Sequence, residues 1–170
     1  MASTTVLNAF AEANNFMQDI SVLGMVRRIF NIQQLKNFYI TVPAAILYAL
    51  PFLRWKQFKH TGFQLSYLAL ALIGVVIFST SAESATYVIA MLGVAIWYVV
   101  QNNQTKAAQF LLILTLLLTS LSATDLFPEY LRMNFIRPYS LKALPCFLVW
   151  LVLVYQLLIK DFSTVKLKYE

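Results

Sequence analysis

Cysteine and histidine are nearly absent from this sequence, which has one of each among 170 residues. A disulfide within the chain is therefore impossible, and a zinc site built from Cys and His clusters is excluded. The lone Cys146 lies in an apolar run, and His60 lies among Lys56, Gln57 and Lys59. The sequence also lacks a Gly-rich phosphate loop and a Ser/His/Asp set. We therefore expect no metal and no cofactor.

Charge is scarce as well. Only 12% of the residues are Asp, Glu, Lys or Arg, whereas 60% are hydrophobic. A soluble domain usually carries about 25% charged residues, so the totals predict an integral membrane protein. The net charge is +6, but the basic residues fall in short runs between apolar segments and form no stripe with stacking aromatics. That pattern indicates contact with membrane lipids and no nucleic-acid partner.

Five apolar stretches predict an all-α, polytopic membrane protein with about five transmembrane helices. Each is slightly shorter than the ~20 residues that cross a bilayer, so flanking residues must complete each span. No period-two alternation persists, and lipid-exposed backbone then requires helices. No Asp, Glu, Lys or Arg lies in the middle of a stretch, which weighs against a transporter or channel. The stretches are Phe38–Leu53, Phe63–Ser79, Ala85–Val100, Ala107–Ser122 and Leu144–Ile159.

Two regions follow from this division. Residues 1–36 are semi-polar with apolar residues at near-helical spacing, which predicts an interfacial amphipathic segment, and residues 37–170 form the transmembrane domain. Suppose that the first span runs from the outside to the cytoplasm. The basic residues on the cytoplasmic side then only slightly outnumber those outside, and five of the seven acidic residues lie outside. We favour this orientation. The cytoplasmic set is Arg54, Lys56, Lys59, Lys106, Lys160, Lys166 and Lys168.

The first of three polar segments runs from Gln18 to Arg28. Ser21 is expected to cap a helix, with Asp19 complementing the helix dipole. Arg27 and Arg28 are candidates to hold a lipid phosphate, because the guanidinium fork matches phosphate oxygens. The alternative is that the two arginines only anchor the chain at the membrane surface.

The second polar segment, residues 79–87, packs the carboxylate of Glu83 among five Ser and Thr hydroxyls, including Ser84 and Thr86. A carboxylate at the membrane surface can bind sugar hydroxyls or act as an acid or base. The alternative is a helix cap, with Ser81 or Ser84 at the N-cap and Glu83 in the first turn.

The third polar segment, residues 124–142, is too polar to span a bilayer. Asp125 is expected to cap a short helix that starts near Pro128. Arg132 and Arg137 add cationic contacts beside Tyr139, and such mixtures of acid, base and aromatic groups occur in carbohydrate and phosphate sites. The alternative is an interfacial loop whose charges pair with one another.

These three segments resemble, in this order, the C-terminal half of bacterial polytopic mannosyltransferases of glycosyltransferase family 87. The likeness covers the chain from about residue 14. It lies in residues 21–28 (SVLGMVRR) and in residues 78–90 (FSTSAESATYVIA) with Gly93 and Trp97. It also lies in residues 121–128 (LSATDLFP) with residues 136–139 (IRPY) and 141–145 (LKALP).

The resemblance implies a GT-C type fold in the bacterial cytoplasmic (inner) membrane. It also implies an enzyme that takes mannose from a polyprenyl-phosphate donor on the extracytoplasmic side. The family's catalytic base is typically an aspartate in the first extracytoplasmic loop, which has no counterpart here, and family members are usually much longer. We therefore expect the C-terminal part of such an enzyme, with a partner membrane segment that completes it. The alternative is a non-catalytic membrane scaffold or assembly subunit.

By the same resemblance, each segment receives a role. Arg27 and Arg28 would contact the lipid phosphate, and Glu83, Ser84 and Thr86 would face the active-site cavity. The loop that closes over the donor or acceptor would use Asp125, Arg132, Arg137 and Tyr139. The catalytic residue is not assigned.

Overall fold

The chain is all-α in its computed structural model, which describes residues 20–32, 35–80, 82–83, 85–101, 104–120, 130 and 141–162. Within these ranges no strand occurs. In chain order, the helices are α1 (Val22–Phe30), α2 (Phe38–Ala49) with a 3₁₀ segment (Leu50–Lys59), α3 (Thr61–Ile77), α4 (Tyr87–Val100), α5 (Lys106–Thr115) with a π-helical end (Leu116–Ser120), and α6 (Ala143–Ile159).

Each of the five predicted apolar stretches coincides with a helix, and the largest difference lies at the end of the first. Instead of stopping at Leu53, the chain remains helical to Lys59 as tight 3₁₀ turns. Pro51 lacks a backbone N–H and so cannot donate the α-helical bond to Leu47, which favours the change of helix type there. The turns are interrupted at Arg54, whose ψ of 44° is not helical.

Small residues bring α3 and α4 close together. A Cβ added to Gly93 would lie 2.8 Å from Ile73 Cγ1 and 2.9 Å from the carbonyl oxygen of Ala69. Ala90, on the same face of α4, is fully buried. Gly and Ala permit this close approach of the two backbones, because their side chains are absent or limited to a methyl group.

The last helix, α6, runs antiparallel to α3 and completes the core. At one end of the pair, the rings of Phe78 and Phe147 lie 6.3 Å apart, and at the other end those of Phe63 and Phe162 lie 5.4 Å apart. Between them Trp150, almost fully buried, packs its indole against Gly74. The α6 helix therefore contributes core residues along its whole length.

The bundle has two ends that differ in chemistry. We call the end where α3 finishes and α4 begins the turn end, because the described residues between these two helices, 78–80, 82–83 and 85–86, lie there. We call the opposite end, where α3 begins and α6 finishes, the basic end. Its basic side chains are Arg54, Lys56, Lys59, Lys106 and Lys160. The structure thus collects at one end the described members of the predicted cytoplasmic set, whereas Lys166 and Lys168 lie outside the described residues.

Within the described residues, one helix is both long and apolar enough to cross a membrane. It is Phe38–Lys59, and only 11% of its apolar window is buried inside the bundle. The other apolar helices are shorter, and they are Thr61–Ile77, Tyr87–Val100, Lys106–Ser120 and Ala143–Ile159.

Candidate functional site

The turn end brings together two of the three polar segments predicted from the sequence. The hydroxyl of Tyr87, the first residue of α4, donates a hydrogen bond to the backbone carbonyl of Ile20 at 2.6 Å. These residues are 67 positions apart in the chain. Tyr87 is almost fully buried, so this bond fixes the start of α1 against the start of α4.

The start of α1 is capped as predicted. The hydroxyl oxygen of Ser21 accepts a hydrogen bond from the N–H of Gly24 at 3.2 Å, and Ser21 is fully buried. Val22 and Leu23 are buried in the same turn, so the first turn of α1 belongs to the bundle core. Asp19, predicted to support this cap, lies outside the described residues, as does most of the predicted interfacial segment.

Arg27 holds the connection that follows α1. Its Nε donates to the carbonyl of Leu35 at 3.0 Å, and its Nη2 donates to the same oxygen. The helix ends at Asn31, whose φ of 54° is left-handed and turns the chain back toward Arg27. Part of the guanidinium fork therefore stabilises this turn, a role that the sequence did not indicate. Arg28, the neighbouring candidate, is half-buried.

Glu83 and Thr86 lie in the turn between α3 and α4. The Thr86 hydroxyl donates to the carbonyl of Glu83 at 2.7 Å, and the Thr86 N–H donates to the same oxygen at 3.1 Å. The Glu83 side chain is exposed. Because α4 begins at Tyr87 and has no acidic residue in its first turn, Glu83 precedes the helix and does not occupy the first-turn position of the alternative interpretation. Ser81 and Ser84 lie outside the described residues.

Most of the third polar segment lies outside the described residues. Asp125, Arg132, Arg137 and Tyr139 lie outside the described residues, so their predicted roles stay predictions. Thr119, which precedes the segment, contacts its last residue, because the Thr119 hydroxyl donates to the carbonyl of Lys142 at 3.3 Å. Thr119 and Lys142 lie at the same end of the bundle as Ser21 and Glu83.

The basic end contains contacts that the sequence did not suggest. Arg54 Nη1 donates to the carbonyls of Leu157 at 3.0 Å and Lys160 at 2.7 Å, which are the last carbonyls of α6. A cation is favourable at this position because a helix C-terminus carries partial negative charge. The sequence shows Arg54 as a single arginine after an apolar run, which indicates a polar contact at the end of that run. Nothing in the sequence indicated that its partners are the carbonyls of Leu157 and Lys160.

No group of three or more His, Cys, Asp or Glu side chains occurs in the described part of the chain. Comparison with protein-family models, curated proteins and solved structures found no match. The resemblance to glycosyltransferase family 87 therefore rests on the sequence motifs alone.

Proposed function

We propose that this chain is a five-span membrane module of a glycosyltransferase that uses a polyprenyl-phosphate sugar, with mannose as the transferred sugar. Its turn end would face the donor on the extracytoplasmic side of the bacterial cytoplasmic membrane. The observation that carries the proposal is the hydrogen bond from Tyr87 to Ile20. Tyr87 belongs to one segment of the resemblance, residues 78–90, and Ile20 directly precedes another, residues 21–28.

The membrane setting is supported by apolar side chains that point away from the bundle. Val75 on α3, Val88 on α4 and Phe110 on α5 are 71%, 72% and 64% exposed. Tyr155 and Ile159 on α6 are each 63% exposed. Monomeric soluble proteins rarely display apolar surface of this extent, whereas lipid covers it without cost. The four shorter apolar helices would then cross the bilayer together with Phe38–Lys59.

The turn end supports the choice of substrate class. It combines the exposed Glu83 carboxylate with the hydroxyl-rich turn and the nearby α1, on which Arg27 and Arg28 lie. A carboxylate can accept hydrogen bonds from sugar hydroxyls, and arginines suit a phosphate group. Asp125, Arg132, Arg137 and Tyr139 would belong to a loop over the same site.

A non-catalytic scaffold is the second candidate function. One observation favours it: among the residues that the structure describes at the turn end, Glu83 is the only carboxylate. Acid–base chemistry would need a further group, such as the aspartate that the family carries in another loop. A scaffold subunit would require none.

A transfer assay separates the two functions. The chain is reconstituted in liposomes with labelled polyprenyl-phosphate mannose and a mixture of glycan and glycolipid acceptors that carry free hydroxyls, alone and together with a membrane segment that carries an aspartate-bearing loop. Transfer is expected in the combined sample. Glu83→Gln should lower it by about tenfold or more, because a lost hydrogen bond to a charged group costs about 1.5–3 kcal/mol.

Asp161→Asn is the matched control, since it removes a carboxylate at the basic end and should leave transfer unchanged. Binding of the labelled donor without transfer in either sample would favour the scaffold. Absence of both binding and transfer would refute the proposal.

A further inference from the structure

Basic side chains from separate parts of the sequence lie at the basic end. Lys56 and Lys59 are exposed on the 3₁₀ segment, and Lys106 is exposed at the first position of α5. The hydrogen bond from Trp97 Nε1 to Gln156 Oε1, at 3.1 Å, holds the end of α4, just before α5, beside the end of α6. The α6 helix is followed there by Lys160.

The acidic side chain that the structure describes at this end is engaged within the protein. Asp161 accepts a hydrogen bond from Gln57 Nε2 at 3.1 Å. Gln57 also accepts one from the N–H of Phe162 through its Oε1, at 3.2 Å. Together with the two bonds from Arg54 to the end of α6, these contacts attach the 3₁₀ segment to the last helix. The backbone that carries Lys56 and Lys59 is therefore held in place against the end of α6.

Large apolar side chains are exposed on the same 3₁₀ segment. Leu53 is 82% exposed and Trp55 is 74% exposed, although the Trp55 ring lies 5.9 Å from that of Phe58. Phe58 in turn contacts Phe63, with 4.8 Å between ring centroids. Tryptophan beside lysine is typical of the level at which lipid headgroups meet acyl chains. A soluble anion would leave the apolar side chains Leu53 and Trp55 exposed to water, whereas the acyl chains of a lipid would cover them.

We propose that the basic end binds the headgroup of an anionic glycerophospholipid. The phosphodiester would lie between Lys56, Lys59 and Lys106, and the first part of the acyl chains would lie along Leu53 and Trp55. Charge complementarity favours this occupant, because five basic side chains and one acidic side chain, Asp161, lie among the residues that the structure describes at this end. The inference shares only the membrane setting with the proposed sugar transfer and needs no catalytic activity.

Native mass spectrometry of the full chain tests the proposal. The protein is purified in detergent and mixed with equal amounts of phosphatidylglycerol and phosphatidylcholine of the same acyl length. We expect preferential retention of phosphatidylglycerol. Each lysine near an anionic lipid surface raises the affinity roughly fivefold. The affinity of the double variant Lys56→Gln/Lys59→Gln for phosphatidylglycerol should therefore be roughly 25-fold lower.

Lys36→Gln is the control, because Lys36 is also exposed but precedes α2 and so lies away from the basic end. It should retain the preference, and circular dichroism should show the same helix content in all variants. An unchanged preference in the double variant would overturn the proposal. Displacement of phosphatidylglycerol by excess inorganic phosphate would also overturn it, because the site would then bind a soluble anion.

Discussion

Replacing Gly93 with alanine tests whether the α3–α4 contact is as close as the structure has it. The added methyl carbon would lie 2.8 Å from Ile73 Cγ1, 2.9 Å from the Ala69 carbonyl oxygen and 3.2 Å from Leu72 Cβ. Carbon atoms pack best at about 3.5–4.0 Å. The Ile73 side chain can rotate, but the carbonyl oxygen belongs to the backbone of α3. The helices must therefore separate.

The magnitude follows from two opposing effects. Overpacking of a tight core costs about 1–3 kcal/mol, and a contact with backbone belongs to the upper half of that range. Alanine recovers about 1 kcal/mol through its higher helix propensity. The expected net loss in the free energy of unfolding is about 1–2 kcal/mol. A larger substitution, Gly93→Leu, should cost more because the helices must then separate further.

The free energy of unfolding is measured in detergent micelles by titration with a denaturing detergent, with tryptophan fluorescence as the signal. Ala95→Leu is the control, because Ala95 is exposed on the same helix and should accept the added volume within about 0.5 kcal/mol. A Gly93→Ala protein as stable as the unmodified chain would refute the close contact. Destabilisation by the control of the same size would show that added bulk anywhere on α4 is harmful.

Three further substitutions test the ends of the bundle. Arg54→Ala should lower the free energy of unfolding by about 1.5–3 kcal/mol, since it removes charged hydrogen bonds to the carbonyls of α6, and Arg54→Lys should restore part of it. Tyr87→Phe should lower the free energy of unfolding by about 0.5–1.5 kcal/mol and speed amide hydrogen exchange in the first turn of α1. Unchanged exchange would contradict the hydrogen bond from Tyr87 to Ile20. Ser21→Ala should cost about 1 kcal/mol through loss of the cap, with Ser21→Asn as the conservative comparison, and equal stability of both variants would exclude that cap.

The helices from Phe38 onward were predictable because each is apolar over most of its length. Apolar runs therefore located the five longer helices that the structure describes in this part of the chain. The extension to Lys59 was not predictable from hydropathy, because Arg54, Lys56 and Lys59 end the apolar run while the backbone remains helical. Pro51 was the local signal for a change in helix type.

The candidate site was predictable only where the interaction is local. The Ser21 cap joins residues three apart, so the local sequence contains both partners. The bond from Tyr87 to Ile20 uses a backbone carbonyl, which every residue has, so no side-chain pattern marks the acceptor. Arg54 likewise meets carbonyls more than 100 residues later, and the sequence revealed its charge but not its partner.

The proposed membrane placement gives a common reason for the hydrogen bonds at both ends. An α-helix rises 1.5 Å per residue, so α4 with its 14 residues is about 21 Å long, whereas the hydrocarbon core is about 30 Å thick. The ends of such short helices lie at or below the headgroup level, where water is too scarce to satisfy the terminal backbone groups. Arg54 takes over this role for the last carbonyls of α6 at the basic end, and the Ser21 hydroxyl satisfies an N–H in the first turn of α1 at the turn end. In the proposed placement, such polar side chains allow helices shorter than the thickness of the hydrocarbon core to cross it.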